Sequence, residues 1–373
     1  TDIMDDNVVA VKVTDDQERA APTAVKSALG AVAAEISEAN LRGHVEKMVG
    51  FGTRHTLSDT ISPTRGIGAA RRWVESEFKV MSAACGECLQ IVLPSDTVTG
   101  QRVPTPTQVV DVVAIQRGTG DPQRVIIIQG HLDSRISDVM NFTADAPGAN
   151  DDASGVAVVM ETARVLSKRS FSATLVYAAL SGEEQGLLGG RILAEYAKVQ
   201  GWQVLAVLNN DIVGNTRGLA QTVENRVRIF SEGVRSLESD AQGNARRSVG
   251  GEVDSPSRNL ARYMDEIAEQ HLPSFDVSMV YRRDRFGRGG HQVPMVEAGF
   301  PAVRVTEAAE NYTRQHQDIR TENGIAYGDT IAGVDFSYLA RVARLNAITM
   351  ASLGSAPRPP MEVKVEGAVS ADT

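Results

Sequence analysis

Apolar residues follow two different patterns, and segments with one pattern alternate along the chain with segments that have the other. Continuous aliphatic runs, typical of strands buried on both faces, occur at Arg124–Gln129, Ala173–Leu180 and Val204–Asn209. In segments such as Ala153–Lys168, apolar residues recur every three or four positions, which predicts a helix. Strands that alternate with helices predict an α/β fold of three layers, in which helices cover both faces of a central, mostly parallel mixed β-sheet.

The same patterns place the remaining elements and the domain limits. We predict further strands at Val109–Ile115, Val227–Phe230 and Ala302–Val305, and further helices at Leu41–Val49, Gly66–Met81, Leu187–Val199, Asn259–His271 and Asp335–Leu353. No boundary signal interrupts residues 38–355, so we expect one catalytic domain there. Residues 1–37 then form an N-terminal arm or helical extension, the latter suggested by the Ala-rich segment Ala21–Ser37.

The C-terminal residues 356–373 differ in composition and read as a Pro-rich tail. The run from Ala356 to Pro360 contains three prolines and predicts a rigid spacer. Met361–Val365 alternates like an edge strand. It is either the start of a truncated further module or part of a plain extension.

Composition and charge narrow the possible partners. The chain is 42% hydrophobic and 23% charged, which is ordinary for a globular protein, and its formal net charge is −9. A negative charge disfavours binding to nucleic acid or to anionic membranes, and no apolar run approaches the roughly 20 residues of a membrane-spanning helix. We therefore expect neither nucleic acid nor a membrane as a partner. Composition and charge leave the oligomeric state open.

The ends of the chain and its cysteines bear on the compartment. The sequence begins with Thr1 and carries no signal peptide, so we expect a processed product that is secreted or periplasmic. Cys85 and Cys88 are the only cysteines. A local disulfide, two free thiols and a redox or zinc half-site all fit this spacing, although no second pair completes four zinc ligands.

Metal-competent side chains follow three predicted strands. His131 and Asp133 follow the first, Glu183 and Glu184 the second, and Asp211 the third. Ligands of open α/β sheets bind outside the carboxyl ends of the strands, so we expect these side chains to meet in one crevice. Two further segments add Asp151-Asp152 before a helix and His316 after a short strand. Histidine and carboxylate ligands without thiolate suit zinc or manganese, and five ligands suggest two ions that share a carboxylate.

Each of these segments also has a purely structural interpretation. Asp151-Asp152 can cap the following helix, and Glu183-Glu184 can be first-turn acids that the helix dipole favours. His131 alone can be a structural histidine, and Asp211 can cap a turn. These separate interpretations do not predict that the side chains converge.

Five motifs in order resemble those of the M28 family of co-catalytic zinc peptidases, over about Thr53–Ala351. The motifs are Gly130-His131-Leu132-Asp133-Ser134, Asn150-Asp151-Asp152-Ala153-Ser154-Gly155, Gly182-Glu183-Glu184-Gln185-Gly186, Asn210-Asp211 and the late His316. The earlier Gly52-Thr53-Arg54-His55 also looks like a family feature. The resemblance implies the zinc-exopeptidase fold and two zinc ions per chain.

The resemblance also implies a role for each matching residue. His131 and Asp211 look like ligands of one zinc, Glu184 and His316 like ligands of the other, and Asp151 like the carboxylate that bridges them. Glu183 looks like the general base that takes a proton from the water between the metals. Asp133 looks like the partner that orients His131.

Two segments depart from the family pattern. Some members place an oxyanion-stabilising Tyr directly before the late His. Here Gln315 stands there, and Tyr312 is the nearest candidate. Related sequences often read Gly-Gly-Asp-His-x-Pro where this chain has Gly289-Gly290-His291-Gln292-Val293-Pro294, so we assign His291 to packing rather than to metal.

The resemblance predicts a zinc-dependent exopeptidase, most simply an aminopeptidase that acts on peptides. A carboxypeptidase or dipeptidase with the same metal centre is an alternative. It needs a cationic pocket for the substrate carboxylate, which the cluster of Arg282, Arg283, Arg285 and Arg288 would supply, although a solvated surface is the simpler interpretation of that cluster. A single-zinc glutaminyl cyclase-like transferase and a non-enzymatic binding module are further alternatives. The retention of all five ligands and of Glu183 disfavours both.

Overall fold

The central feature is a sheet of eight strands with helices on both faces. A computed structural model of the chain describes residues 27–358. The sheet has the order β1-β4-β6-β5-β7-β10-β8-β9. The contiguous strands β6, β5, β7 and β10 run parallel, whereas both β4 and β8 pair antiparallel with this central group. The predicted three-layer α/β fold with a mixed sheet is confirmed.

The strands and helices have the following bounds. The sheet strands are β1 (Leu89–Val92), β4 (Val112–Gln116), β5 (Asp121–His131), β6 (Ala173–Leu180), β7 (Gln203–Asn210), β8 (Arg226–Ser231), β9 (Asp276–Val280) and β10 (Ala302–Glu307). Two separate hairpins are formed by β2 (Ser95–Gly100) with β3 (Val103–Val110), and by β11 (Arg320–Glu322) with β12 (Ile325–Tyr327). The helices are α1 (27–34), α2 (Glu38–Val49), α3 (Gly66–Ala84), α4 (Ala153–Leu166), α5 (Leu188–Val199), α6 (Asp240–Ser248), α7 (Pro256–His271), α8 (Gln292–Glu297) and α9 (Phe336–Ser355).

Strand β5 shows why an uninterrupted aliphatic run belongs in the middle of the sheet. Ile126 and Ile128 pack into the larger core with α4 and α9, while Val125 and Ile127 pack into the smaller core with α5 and α8. Alternate side chains of a strand point to opposite faces, so both faces of β5 must be apolar. Each fully buried aliphatic side chain contributes about 1.5–3 kcal/mol.

The register of the parallel strands aligns their carboxyl ends. His131 is paired with Leu180 across β5 and β6, Gln129 with Asn209 across β5 and β7, and Val305 with Asn210 across β10 and β7. The segments that leave β5, β6, β7 and β10 therefore emerge at one edge of the sheet, where the candidate chemistry lies.

The single strand predicted for Val109–Ile115 is wrong. The chain breaks at Asp111 into β3, which belongs to a hairpin, and β4, which belongs to the main sheet. Asp111 is fully buried, its amide donates to the carbonyl of Pro94, and its carboxylate accepts from the amide of Ser181. These contacts hold the chain where it passes between the two sheets.

The ends of the described chain pack against the domain. Leu29, Val32 and Ile36 belong to the larger core, and Arg124 donates to the carbonyls of Ala356 and Pro357. The predicted arm before residue 27 and the predicted strand Met361–Val365 lie outside the described residues. Among residues 27–358, no helix is both long and apolar enough to span a membrane.

Cys85 and Cys88 are joined in a disulfide at the end of α3. Of the three alternatives that the spacing left open, the structure therefore has the local disulfide.

Gly130 is required where β5 meets α4. A Cβ at this position would lie 2.7 Å from the main-chain carbon of Gly155 and 2.9 Å from the amide nitrogen of Val156. We expect Gly130→Ala to lower the free energy of unfolding by about 1–3 kcal/mol, measured by urea denaturation, because strand and helix must separate. Gly43→Ala is the matched control: Gly43 lies in α2 with nothing within 4 Å of an added Cβ, so a gain of about 0.5–1 kcal/mol is expected. Equal stability of Gly130→Ala and the wild type would contradict this packing.

Candidate active site and metal centre

The residues predicted to bind metal come from five separate segments and meet at the carboxyl edge of the sheet. His131 ends β5, Asp211 directly follows β7, and Glu184 lies in the turn after β6. Asp151 lies just before α4, and His316 lies in the segment between β10 and β11. All five side chains are wholly or largely buried.

Asp151 lies between the two histidines. Its Oδ1 is 3.0 Å from Nε2 of His131, and its Oδ2 is 2.9 Å from Nε2 of His316. A second carboxylate lies near each of these Nε2 atoms: Asp211 Oδ1 is 3.9 Å from His131 Nε2, and Glu184 Oε1 is 2.8 Å from His316 Nε2. The structure thus forms two adjacent groups of histidine and carboxylate that share Asp151.

Asp152 is close to the first group but has other partners. Its ligand atoms lie within 4.8 Å of those of His131 and Asp211. However, its two oxygens accept main-chain hydrogen bonds from His131 (2.9 Å), Gly155 (3.0 Å) and Ile212 (3.2 Å). Asp152 caps α4 and ties it to the strand ends, so the capping interpretation applies to Asp152. Asp151 is left to face both histidines.

A main-chain contact sets the tautomer of His131. Its Nδ1 lies 3.0 Å from the carbonyl oxygen of Asp133, which can only accept a hydrogen bond. Nδ1 therefore carries a proton, and the lone pair of the neutral ring is on Nε2, which faces Asp151 and Asp211. That is the arrangement a metal-binding histidine needs.

The carboxylate of Asp133 lies beside His131 but makes its closest contacts elsewhere. It is 3.6 Å from Nδ1 of His131, while its two oxygens accept the amides of Glu183 and Glu184, each at 3.1 Å. Asp133 therefore fixes the main chain of the Glu183-Glu184 turn. The side chain of Glu184 meets His316, and that of Glu183 lines the adjacent cavity.

Arg304 is a buried partner of Asp211 that the sequence analysis missed. Its guanidinium lies 2.7 Å from Oδ2 and 2.8 Å from Oδ1 of Asp211, and 3.4 Å from Asp284. A bidentate pair of this kind fixes the carboxylate plane. A signal existed, because a charged residue stands in the middle of the otherwise apolar run Ala302–Val305, and a fully buried Arg needs a partner.

Asp329 and Arg54 hold the segment that carries Asp151. Asp329 accepts the amides of Asn150 and Asp151, the latter at 2.7 Å. Arg54 is fully buried and donates to four carbonyls, those of Met48, Leu132, Pro147 and Gly148, at 2.6–3.1 Å. Nothing near Asp329 in the sequence marks this role, because its partners lie far away along the chain.

The charges of the site shift the pKa values of its members. Burial, together with the nearby charge of Glu184, raises the pKa of Glu183 well above its usual range. Burial also favours the neutral form of Asp211, but the positive charge of Arg304 brings its pKa below the usual value. Burial disfavours protonated His131, yet Asp152, Asp133, Asp151 and Asp211 raise its pKa well above the usual value. The site as a whole therefore stabilises positive charge.

The same residues fit divalent cations. His131 Nε2 and Glu184 Oε1 are buried and face other ligand-type atoms, Asp151 Oδ1 at 3.0 Å and His316 Nε2 at 2.8 Å. Neither atom has hydrogen-bond geometry with any of the residues that the structure describes. A buried polar atom without a partner is costly, and a metal ion is a partner both atoms can bind. Each group offers one histidine and two carboxylates, counting Asp151 in both, which suits zinc.

A cavity of about 380 Å³ opens onto these groups. Glu183, Glu184, Asp151, Asp211 and His316 line it, together with Gln315. Tyr312 is 51% exposed and is not among the residues that line the cavity. His291 is buried with its ring edge-on to that of His131, 6.2 Å away, and is in neither group.

Comparison with known proteins identifies the family. The family model described as Peptidase family M28 matches residues 111–331, and a probable zinc metalloprotease of Leptosphaeria maculans is 46% identical over 91% of this chain and 79% of its own length. The chain belongs to peptidase family M28. A second probable zinc metalloprotease, from Pyrenophora teres f. teres, is 44% identical over 91% of this chain and 71% of its own.

Solved structures share the fold of this chain. The LapA aminopeptidase of Legionella pneumophila superposes with a TM-score of 0.63 at 18% identity, covering 95% of this chain and 79% of that one. A glutaminyl cyclase of Porphyromonas gingivalis superposes with a TM-score of 0.57 at 16% identity, covering 85% and 98%. At such identities the likeness is one of fold, while membership of M28 makes the chain a zinc metallopeptidase.

The ion pair beneath Asp211 gives a stability prediction for this M28 peptidase. Arg304→Met leaves the buried carboxylates of Asp211 and Asp284 without their cation, so we expect a loss of about 3–5 kcal/mol in the free energy of unfolding, measured by urea denaturation. Arg226→Met is the control, because the Arg226–Asp276 pair is about half exposed and its loss should cost no more than about 1 kcal/mol. Equal losses in the two variants would show that Arg304 does not compensate buried charge.

Proposed function

We propose that this M28 peptidase is an exopeptidase that removes N-terminal residues from peptides, with two zinc ions and with Glu183 as general base. One observation carries the proposal: the two carboxylate oxygens of Asp151 face His131 and His316 separately, with Glu183 on the wall of the same cavity. A carboxylate placed in this way can serve two ions at once.

Each residue then has a definite task. His131 and Asp211 would hold one ion, Glu184 and His316 the other, and Asp151 both. When bound, a pair of cations polarises the scissile carbonyl and lowers the pKa of the attacking water. Asp133 holds the amides of Glu183 and Glu184, so that adjacent residues serve as base and ligand without exchanging roles.

Glu183 is suited to moving a proton. Its burial raises its pKa, and positive charge bound nearby would lower the pKa again, because cations favour the carboxylate form. These two opposing effects bring the pKa of Glu183 towards the range in which its carboxylate can take a proton from water and return it to the leaving amine.

The size of the cavity favours action at a chain end. A volume of about 380 Å³ is at the small end of pockets that enclose small molecules, so it suits a terminal residue better than an extended chain. A carboxypeptidase or dipeptidase is the second candidate, because Arg285 and Arg288 line the cavity and could bind a substrate carboxylate. Peptides with a free amine but an amidated C-terminus, compared with N-acetylated peptides that have a free carboxylate, distinguish the two activities.

The Cys85–Cys88 disulfide supports a place of action outside the reducing cytosol. Disulfides persist in oxidising compartments, so we propose that the enzyme is secreted or periplasmic.

The general base can be tested by an isosteric change. We expect Glu183→Gln to lower kcat by about 10²–10⁴-fold, because the amide cannot accept the proton, while zinc content and the urea midpoint stay at wild-type values. Glu195→Gln, on the exposed surface of α5, is the matched control and should keep wild-type turnover. Wild-type turnover by Glu183→Gln would remove Glu183 from the mechanism.

The shared carboxylate can be tested by metal analysis. We expect the zinc-loaded wild type to hold two equivalents after dialysis and Asp151→Ala to hold well under one, because both ions lose a ligand. Asp96→Ala, in the exposed hairpin β2–β3, should keep both. Loss of a single equivalent from Asp151→Ala contradicts bridging, and one equivalent in the wild type favours the cyclase-like alternative.

A further inference from the structure

Four arginines line the cavity that contains Glu183. They come from three parts of the chain that are distant in sequence: the turn of the β2–β3 hairpin, the segment after β5, and the segment between β9 and α8. They are Arg102, Arg135, Arg285 and Arg288. Arg282 and Arg283, from the same basic run, do not line it. The structure therefore divides the cluster seen in the sequence and adds two arginines that the sequence analysis did not connect with it.

The four guanidinium groups differ in the partners that they already contact. Arg285 is paired with Glu310 at 2.5 Å and Asp284 at 3.3 Å. Arg102 donates to the main-chain carbonyl of Glu184 at 2.8 Å, and Arg288 lies 3.3 Å from Nδ1 of His316. Within residues 27–358, neither Arg102 nor Arg288 forms an ion pair with a carboxylate.

Arg135 lies against the second predicted metal group. Its Nε is 3.0 Å from Oε2 of Glu184, and its Nη2 is 2.6 Å from Nδ1 of His316. A histidine that binds metal through Nε2 carries its proton on Nδ1, where it cannot accept from an arginine. The contacts of Arg135 and Arg288 with His316 therefore compete with metal binding. A metal ion on that group would release both guanidinium groups from His316, while Nε of Arg135 would keep its contact with Glu184.

Each carboxylate that lines the cavity already has a proposed role. Asp151, Glu184 and Asp211 are predicted ligands, and Glu183 is the proposed base. Because Arg285 is already paired with Glu310 and Asp284, three arginines (Arg102, Arg135 and Arg288) remain to face these four carboxylates. Two divalent cations would add four positive charges and leave the lining with an excess of positive charge. An anionic group on the substrate is the natural complement of such a lining.

We propose that this cavity selects peptides that carry a carboxylate close to the scissile bond, and that Arg288 and Arg102 bind it, with Arg135 contributing once metal is bound. The inference rests on the proposed peptidase function and names its substrate class. The carboxylate can be the C-terminus of a dipeptide or the side chain of an acidic residue; both present the planar anion that a guanidinium recognises.

Four peptides separate these two sources of charge. They are X-Glu, X-Gln and their C-terminal amides, where X is the residue that aminoacyl reporter substrates show to be cleaved fastest. We expect the zinc-loaded enzyme to have the lowest kcat/KM for the uncharged X-Gln amide. A higher value for X-Gln identifies the C-terminal carboxylate as the recognised group, and a higher value for the X-Glu amide identifies the side chain.

Arg288→Gln tests a residue whose contact with His316 would be lost when metal is bound. We expect kcat/KM to fall about 10–100-fold for the preferred carboxylate peptide and to change little for the X-Gln amide, because only the first loses a charge-assisted hydrogen bond. Arg283→Gln is the matched control, since Arg283 belongs to the same basic run but pairs with the exposed Glu297. Equal losses for charged and uncharged peptides, or a wild type that cleaves all four equally well, would overturn the proposal.

A measurement of peptide binding tests the recognition of carboxylates separately from the proposed peptidase reaction. Calorimetry with zinc-loaded Glu183→Gln measures peptide affinity without turnover, and we expect tighter binding of the carboxylate peptides and loss of that preference on adding Arg288→Gln. If the wild type cleaves none of the peptides but the preference is present, the peptidase proposal fails and the recognition of carboxylates stands. If the wild type cleaves the peptides but shows no preference for carboxylates in either turnover or binding, the peptidase proposal stands and the recognition of carboxylates is overturned.

Discussion

Burial of like charges at one edge of the sheet is the constraint on which the rest of the structure depends. The parallel strands β5, β6 and β7 end side by side and deliver His131, the Glu183-Glu184 turn and Asp211 to one buried region, which Asp151 and His316 enter from neighbouring segments. Carboxylates removed from water in this way repel each other unless positive charge lies among them. Arg304 supplies such a charge to Asp211, and divalent cations are the natural partners of the remaining ligand atoms.

A framework of main-chain hydrogen bonds keeps the acidic groups in place. Asp133 holds the amides of Glu183 and Glu184, Asp152 ties β5 to α4, and Asp329 holds the amide of Asp151. These acids accept from the backbone, so their orientation does not depend on a bound ion. Preorganisation of this kind keeps the proposed ligands and the proposed base in fixed geometry, and catalytic groups need that geometry before substrate arrives.

Fold and specificity have different sources in this molecule. The chain belongs to family M28, and a fold of this kind accommodates an aminopeptidase and a glutaminyl cyclase alike. The cavity's arginines instead come from segments outside the parallel strands: Arg102 from a hairpin turn, Arg135 from the segment after β5, and Arg288 from the segment before α8. Loops on a rigid sheet can change charge without disturbing the core, so we look to them for the choice of substrate.

The sequence by itself determined the central strands and their helices, because side chains of β5, β6 and α4 follow periods that burial on a sheet or on one helix face requires. The order of motifs also led to the five residues that meet at the site. Only the tertiary structure decided that β3 and β4 separate at Asp111, that Arg304 pairs with Asp211, that Asp329 holds Asp151, and that Arg102 reaches Glu184. The periodicity of a short segment cannot predict these features, because each depends on contacts between residues that are distant in sequence. Such contacts arise from the packing of the whole chain.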